Sequence, residues 1–166
     1  AWGQKDTLHS VGRIADIGRQ MNLQDGTVDC DGLGQGYFDN LKDLVNGHYG
    51  LKEFHNTALG KQSPYANVRT EIYFYIKELA SKGWLYIKTP EIINDLARLS
   101  YTYNRNGQKM MISKEIMRSK GVKSPDYADA LMMSVWLWKT KNPETSNLRR
   151  RKIGRFNFIN NQMNNW

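Results

Sequence analysis

The sequence predicts an α/β fold, a mixed β-sheet flanked by α-helices. Three observations carry this. Short strand-like runs alternate with longer stretches of helical periodicity. The acid Asp29 closes one such run and leads into the glycine-rich turn Gly32-Leu33-Gly34-Gln35-Gly36, the position where open α/β sheets place their sites. A helix start at Ser124-Pro125 then carries two acids, Asp126 and Asp129, into an apolar run ending near Trp136 and Leu137.

In chain order, Asp6 or Thr7 is placed to cap a helix carrying Leu8, Val11, Ile14, Ala15, Ile17 and Met21. Asp25-Gly26 is a turn, and Thr27–Cys30 a short strand. The glycine-rich run opens a helix through Leu44, and a second strand falls around Tyr49–Phe54. A loop over 57–65 contains Gly60 and Pro64. Ala66–Lys82 is a strong helix stopped by Gly83. Trp84–Lys88 alternates as a strand, and Pro90 starts a helix through Leu99. Asn104-Arg105-Asn106-Gly107 lies between two short strands as a hairpin signal. Lys114–Lys120 is a short basic helix before Ser124.

A chain of 166 residues suits one domain with a real core. Hydrophobic residues make up 40% and charged residues 24%, the balance of an ordinary water-soluble globular protein. No apolar run reaches membrane-spanning length and no signal peptide is evident, so no membrane partner is expected. The single cysteine, Cys30, excludes an internal disulfide. His9, His48 and His55 are scattered, and no Cys/His zinc pattern exists. The net charge of +8 is uneven: 139–166 holds seven Lys/Arg and one Glu, or +6, leaving +2 for the rest. The expected organisation is a domain over 1–138 and a basic, Asn-rich, flexible tail over 139–166.

Two stretches carry the chemistry. In the first, Ser124 is a good N-cap, and Pro125 fits the first helical position. Asp126 and Asp129, three apart, project from neighbouring points on one helix face. Buried carboxylates need an ion pair or a bound cation. Asp126 thus reads as a ligand or as a surface helix-start acid, and Asp129 as a ligand or as half of a buried ion pair. In the second, the turn after Asp29 is no phosphate-binding Walker loop, because no Gly-Lys-Ser/Thr follows. Asp31 reads as a turn-forming side chain.

Together the two stretches resemble the nuclease domain of phage terminase large subunits. The matching segments are Val28-Asp29 with Gly32–Gly36 and Asp39-Asn40-Leu41, then Tyr65–Glu71, then Lys123–Asp126 leading to Ala128–Leu131. The resemblance implies an RNase H-like fold and a metal-dependent DNA endonuclease that cuts concatemeric DNA during genome packaging. It implies two Mg2+ or Mn2+ ions, with Asp29 and Asp129 as ligands and Asp126 as a further ligand or helper. Hard cations favour carboxylate oxygen, and a pair of them activates water and stabilises the leaving oxygen. It also implies as partners double-stranded DNA, the ATPase half of the terminase, the small terminase subunit and the portal protein, with the host cytoplasm as location. That family's first metal-binding aspartate lies on a strand upstream of the Trp2-Gly3 equivalent, so the expectation is a chain lacking the first strands. Arg69, Arg105, Lys109, Lys114 and Lys123, with Arg149, Arg150 and Arg151 of the tail, are candidate phosphate contacts or solvated surface charges. Glu71 is a candidate support for the acids, and Tyr73 reads as core. A non-catalytic DNA-binding or portal-docking module and a Holliday-junction resolvase-like nuclease are the alternatives.

Overall fold

The computed structural model describes residues 7–143. In order they form α1 (Thr7–Gln20), β1 (Asp25–Asp29), α2 (Gly34–Val45), β2 (Gly50–Phe54), α3 (Val68–Ser81), α4 (Pro90–Ala97), β3 (Tyr101–Tyr103), β4 (Lys109–Met111), α5 (Lys114–Ser119) and α6 (Asp126–Lys141). No helix among them is long and apolar enough to cross a membrane.

The pair β1–β2 is parallel, with α2 as its crossover and Asp29 opposite Phe54. Pleating sorts its side chains onto two faces. Val28 and Leu51 turn to a layer made by Val11 and Ala15 of α1 with Leu41 and Val45 of α2. Phe54 turns to the larger core, built from Ile72, Tyr73 and Ile76 of α3 and Leu131, Met132 and Val135 of α6. There it meets Trp136 edge-on, with ring centroids 5.2 Å apart. Asp29 shares the Phe54 parity, so the end of β1 presents its carboxylate on the α6 side.

The expected single mixed sheet is instead two small sheets among the described residues, β1–β2 parallel and β3–β4 antiparallel. Trp84–Lys88 forms no strand. Its alternation is real, with Leu85 buried and Tyr86 exposed, but it marks a chain laid over the core before α4. The β3–β4 turn is held by Asn104, whose Oδ1 accepts from the N–H of Asn106 (2.9 Å) and Gln108 (3.0 Å). The buried Gln108 amide nitrogen lies 3.0–3.1 Å from the carbonyls of Gly60, Ser63 and Tyr65, fastening the 60–65 loop to the hairpin.

Helix α6 continues to Lys141, beyond the expected boundary at 138. Lys139 Nζ lies 2.7 Å from Glu71 Oε1, and Lys141 pairs with Asp25. Two cations assigned to the tail therefore lie on the folded body, and Glu71 is bound to one of them. Arg149, Arg150 and Arg151 lie outside the described residues.

Candidate active site around Asp129

The start of α6 is capped from a distance. Ser124 does not cap it: its hydroxyl donates to Asp126 Oδ1 at 2.7 Å, and Pro125 occupies the N-cap position. The donors at the helix start are met by Asp95 of α4, whose Oδ2 accepts from Tyr127 N–H (2.9 Å) and Ala128 N–H (3.3 Å). Asp95 is 4% exposed and its other oxygen pairs with Arg98. An anion at a helix N-terminus also meets the favourable end of the helix dipole. Asp95→Ala is expected to cost about 2 kcal/mol from the lost cap, read as a lower denaturant midpoint with unchanged slope.

One turn on, Asp129 is 8% exposed. Its Oδ1 accepts from Tyr73 Oη at 2.5 Å and from Arg69 Nη2 and Nε at 3.2 and 3.3 Å. Lys114 Nζ lies 2.7 Å from Oδ2. That contact is an ion pair poorly aligned as a hydrogen bond, so Oδ2 is buried yet keeps an unused acceptor direction. Arg69 also donates to Ile112 O at 3.4 Å and lies 5.2 Å from the Tyr73 ring centre. Asp129 is thus held in a buried ion pair with Arg69 and Lys114. Burial is the largest single influence on its pKa and pushes it up. The Lys114 ammonium beside it, the Tyr73 hydrogen bond and the Arg69 charge together outweigh burial, and the carboxyl lies below its ordinary value. Burial, then the Asp129 charge, push the Tyr73 hydroxyl far above the ordinary tyrosine value, so it stays a neutral donor.

A chain of contacts joins this group to the end of β1. Arg69 N–H donates to Asn56 Oδ1 at 3.0 Å, and Asn56 N–H donates to Asp31 Oδ2 at 3.0 Å. Asp31 N–H in turn donates to Asp29 Oδ1 at 3.1 Å. Asp31 is thus more than a turn former: it ties the β1 turn to the loop after β2. His55 stands between two acids, 3.5 Å from Asp31 and 3.3 Å from Glu53. The contact with Glu53, ahead of that with Asp31, raises the His55 pKa above its ordinary value. Exposed carboxylates at the C-terminal end of β1–β2 are thus linked, through Asn56 and Arg69, to a buried carboxylate held by two cations.

Among solved structures, the chain is similar to the nuclease domain of the large terminase subunit gp2 of bacterial virus Sf6. The TM-score is 0.62 at 19% identity, over 79% of this chain and 73% of that one. An alanine-for-lysine mutant of that domain with manganese gives a TM-score of 0.63 at 18% identity, over 79% and 74%. The same mutant with calcium gives 0.63 at 18% identity, over 79% and 73%. The chain has the RNase H-like fold of these terminase nuclease domains. It matches no protein-family model and no curated protein.

Within that fold, Asp29 lies exposed at the β1 end and Asp129 buried on α6, linked through Asp31, Asn56 and Arg69. Asp126 is exposed and turned to Ser124, and among the described residues no hydrogen bond or ion pair joins it to Asp129. Arg69 is not a surface cation: its side chain is 12% exposed and spent on Asp129. Lys114 is likewise turned to Asp129, and Lys109 lies over Phe74, 4.7 Å from the ring centre. Arg105 and Lys123 are exposed. The donor chemistry suits a hard cation, since Asp129 offers a buried oxygen with spare acceptor capacity. The arrangement does not form a metal centre by itself. Among the described residues no group of three or more His, Cys, Asp or Glu side chains is placed to hold an ion.

Proposed function

We propose that the chain is the nuclease domain of a viral DNA-packaging terminase, a divalent-metal-dependent endonuclease. The observation that carries this reading is Asp129, buried on α6 and held by Arg69, Tyr73 and Lys114, in a fold shared with a terminase nuclease domain. Asp29 and Asp129 are the proposed ligands of Mg2+ or Mn2+, with Asp126 as a helper that must turn from Ser124. A bound cation pair would supply an activated water and a stabilised leaving oxygen. Double-stranded DNA is the proposed substrate, met first by Arg105, Lys123 and the tail cations Arg149, Arg150 and Arg151. The ATPase half, the small subunit and the portal are the proposed partners, in the host cytoplasm.

The chain's own residues set the preconditions. Arg69 and Tyr73 hold Oδ1 of Asp129 in one orientation, leaving Oδ2 as the oxygen that can change partners. Lys114 is 35% exposed on its side chain, so it has a way out to solvent. A cation bound at Oδ2 would compete with the Lys114 ammonium beside it. Lys114→Ala should therefore raise Mn2+ affinity. At an ion concentration one hundred times Kd, the variant is expected to gain about 2.7 kcal/mol of stability, with wild type gaining less in the same thermal titration. Equal shifts in the two proteins would mean that Lys114 does not compete for the site.

The deciding experiment is cleavage of supercoiled plasmid in Mn2+. Cutting that disappears in Asp129→Asn, while the variant stays folded and binds DNA, supports the nuclease. Cutting retained in Asp129→Asn refutes the assigned site. DNA binding with no cutting at any metal concentration favours the assembly module.

A further inference from the structure

The β3–β4 hairpin is fastened to the body through β4 and its turn. Met111 N–H donates to Thr70 Oγ1 at 3.0 Å. Lys109 N–H donates to Pro64 O and Ala66 N–H to Lys109 O, each at 2.9 Å. The Gln108 amide adds its contacts to the 60–65 loop. A two-stranded hairpin has little stability alone, and these bonds brace it. The outer strand is β3, and all three of its residues are exposed. Two of them are tyrosines, Tyr101 at 46% and Tyr103 at 58% exposure. A single exposed apolar residue needs no explanation, but two large rings side by side on a braced strand make a patch.

Pleating puts Tyr101 and Tyr103 on one face with Lys109, the ladder partner of Tyr103. Tyr101 is anchored from below. Its ring meets Phe74 edge-on with centroids 5.1 Å apart, and Phe74 stacks on Tyr65 at 5.2 Å. Phe74 in turn packs against the larger core. Tyr103 carries the series outward, 5.9 Å from Tyr101 with the ring planes at 73°. At that angle the two tyrosines do not stack on each other, and Tyr103 presents ring surface to solvent. Lys109 Nζ lies 4.7 Å from the Phe74 ring centre and 6.0 Å from that of Tyr101. Arg105 stands exposed in the turn. Residues 100–114 hold Arg105, Lys109 and Lys114 and no acid, and the tethered loop over 57–66 adds Lys61 and no acid. Open aromatic surface and positive charge therefore meet on one rigid face.

We propose that this face binds unpaired nucleotides of a single-stranded nucleic acid, with a base stacked on Tyr103 and the adjoining phosphates met by Arg105 and Lys109. The combination of features selects the ligand. Cations alone suit any phosphate backbone, duplex included. A duplex hides its base faces in its own stack, whereas an unpaired base offers its face to an aromatic platform. The apolar face of a second protein would have to bury Arg105 and Lys109 beside the rings, at the cost of desolvating both charges. Stacking accepts every base, so this site reads strandedness and not sequence. It goes beyond the proposed nuclease, whose substrate is duplex DNA, and it uses neither Asp29 nor Asp129. The two readings therefore stand or fall apart.

Fluorescence anisotropy of a labelled dT oligomer tests this on the 166-residue chain, without divalent metal and at about 200 mM salt, where phosphate contacts alone are weak. Tyr103→Ala is expected to weaken dT binding about fivefold or more, the lower end of what one stacked base contributes. Binding of a duplex of the same length should not change. Tyr103→Phe, which keeps the ring, should bind as wild type does. Arg105→Gln should weaken both ligands and lower the dT salt slope by about 0.7. In the wild type, the ring protons of Tyr103 should shift when the dT oligomer is added. Tyr103→Ala spares the β4 tethers, and an unchanged thermal midpoint would show it. Should the midpoint fall, the wild-type ring shifts decide: their presence supports the proposal and their absence overturns it. Equal dT binding by wild type and a folded Tyr103→Ala overturns it. So does an equal loss of dT and duplex binding, which leaves a phosphate contact only. Failure of Tyr103→Phe also overturns it, since the hydroxyl and not the ring would then carry the binding.

Discussion

Asp129→Ala is expected to destabilise the folded protein by about 3–5 kcal/mol, because it strips a buried carboxylate from two cations that remain. Arg69 is 12% exposed on its side chain and has only Ile112 O and the Tyr73 ring to fall back on. The Tyr73 hydroxyl, buried and neutral, would lose its acceptor as well. Lys114 can reach water and should add least to the loss. The loss should carry a pH signature. The folded-state pKa of Asp129 lies below its unfolded value, so its contribution is present above the unfolded carboxylate pKa. It fades as pH falls through the folded value. Urea midpoints of wild type and Asp129→Asn should therefore converge under acid and separate towards neutrality. A constant gap across that range would show that Asp129 contributes packing and not charge. A double variant, Arg69→Met with Asp129→Leu, should recover much of the lost stability, since replacing a buried pair by apolar groups is often neutral. It should recover no cleavage.

How much of this was legible in the sequence differs from residue to residue. Period and turn chemistry carried α3 and its stop at Gly83; its cap, Asn67, lies inside the expected helix of 66–82, and its Oδ1 accepts from Thr70 N–H at 2.9 Å. They also carried the Asn104–Gly107 turn. Asp129 was legible as a buried acid because an apolar run surrounds it. Its partners were not. Arg69 lies sixty residues away in sequence, and Arg69 and Lys114 look like any other surface cations until topology folds α3 and α5 onto α6. Tyr73 offered a usable signal: a tyrosine on an apolar helix face must find a partner for its hydroxyl. Asp95 offered a similar one, an acid between Ile93 and Leu96 in a short amphipathic helix. The Ser124 cap failed because a local cap and a distant one compete for the same donors, and sequence spacing weighs only the local one. Trp84–Lys88 failed because alternation reports burial on one side and says nothing of a pairing partner.

The glycine-rich turn separates sequence pattern from physical need, and yields the second large effect. A Cβ on Gly34 would lie 1.6 Å from Asp29 O and 2.7 Å from Asp29 C, deep inside contact distance with backbone. No side-chain rotation relieves that, so the start of α2 must lift from the end of β1. A Cβ on Gly36 meets nothing within 4 Å. Gly34→Ala is thus expected to cost about 3 kcal/mol or more, at the upper end for overpacking. Gly36→Ala, two residues on in the same helix, is expected to gain about 0.5–1 kcal/mol from helix propensity. Opposite signs from one chemical change would mark Gly34 as the contact that seats α2 on β1 and sets the position of Asp29. Thermal midpoints of the two variants read stability. Chemical shifts of Asp31 and Asn56 read the site, and should move in Gly34→Ala and stay in Gly36→Ala, because their hydrogen bond depends on where the β1 turn sits. If Gly34→Ala is as stable as wild type and leaves those shifts in place, α2 does not rest on the Asp29 carbonyl as described.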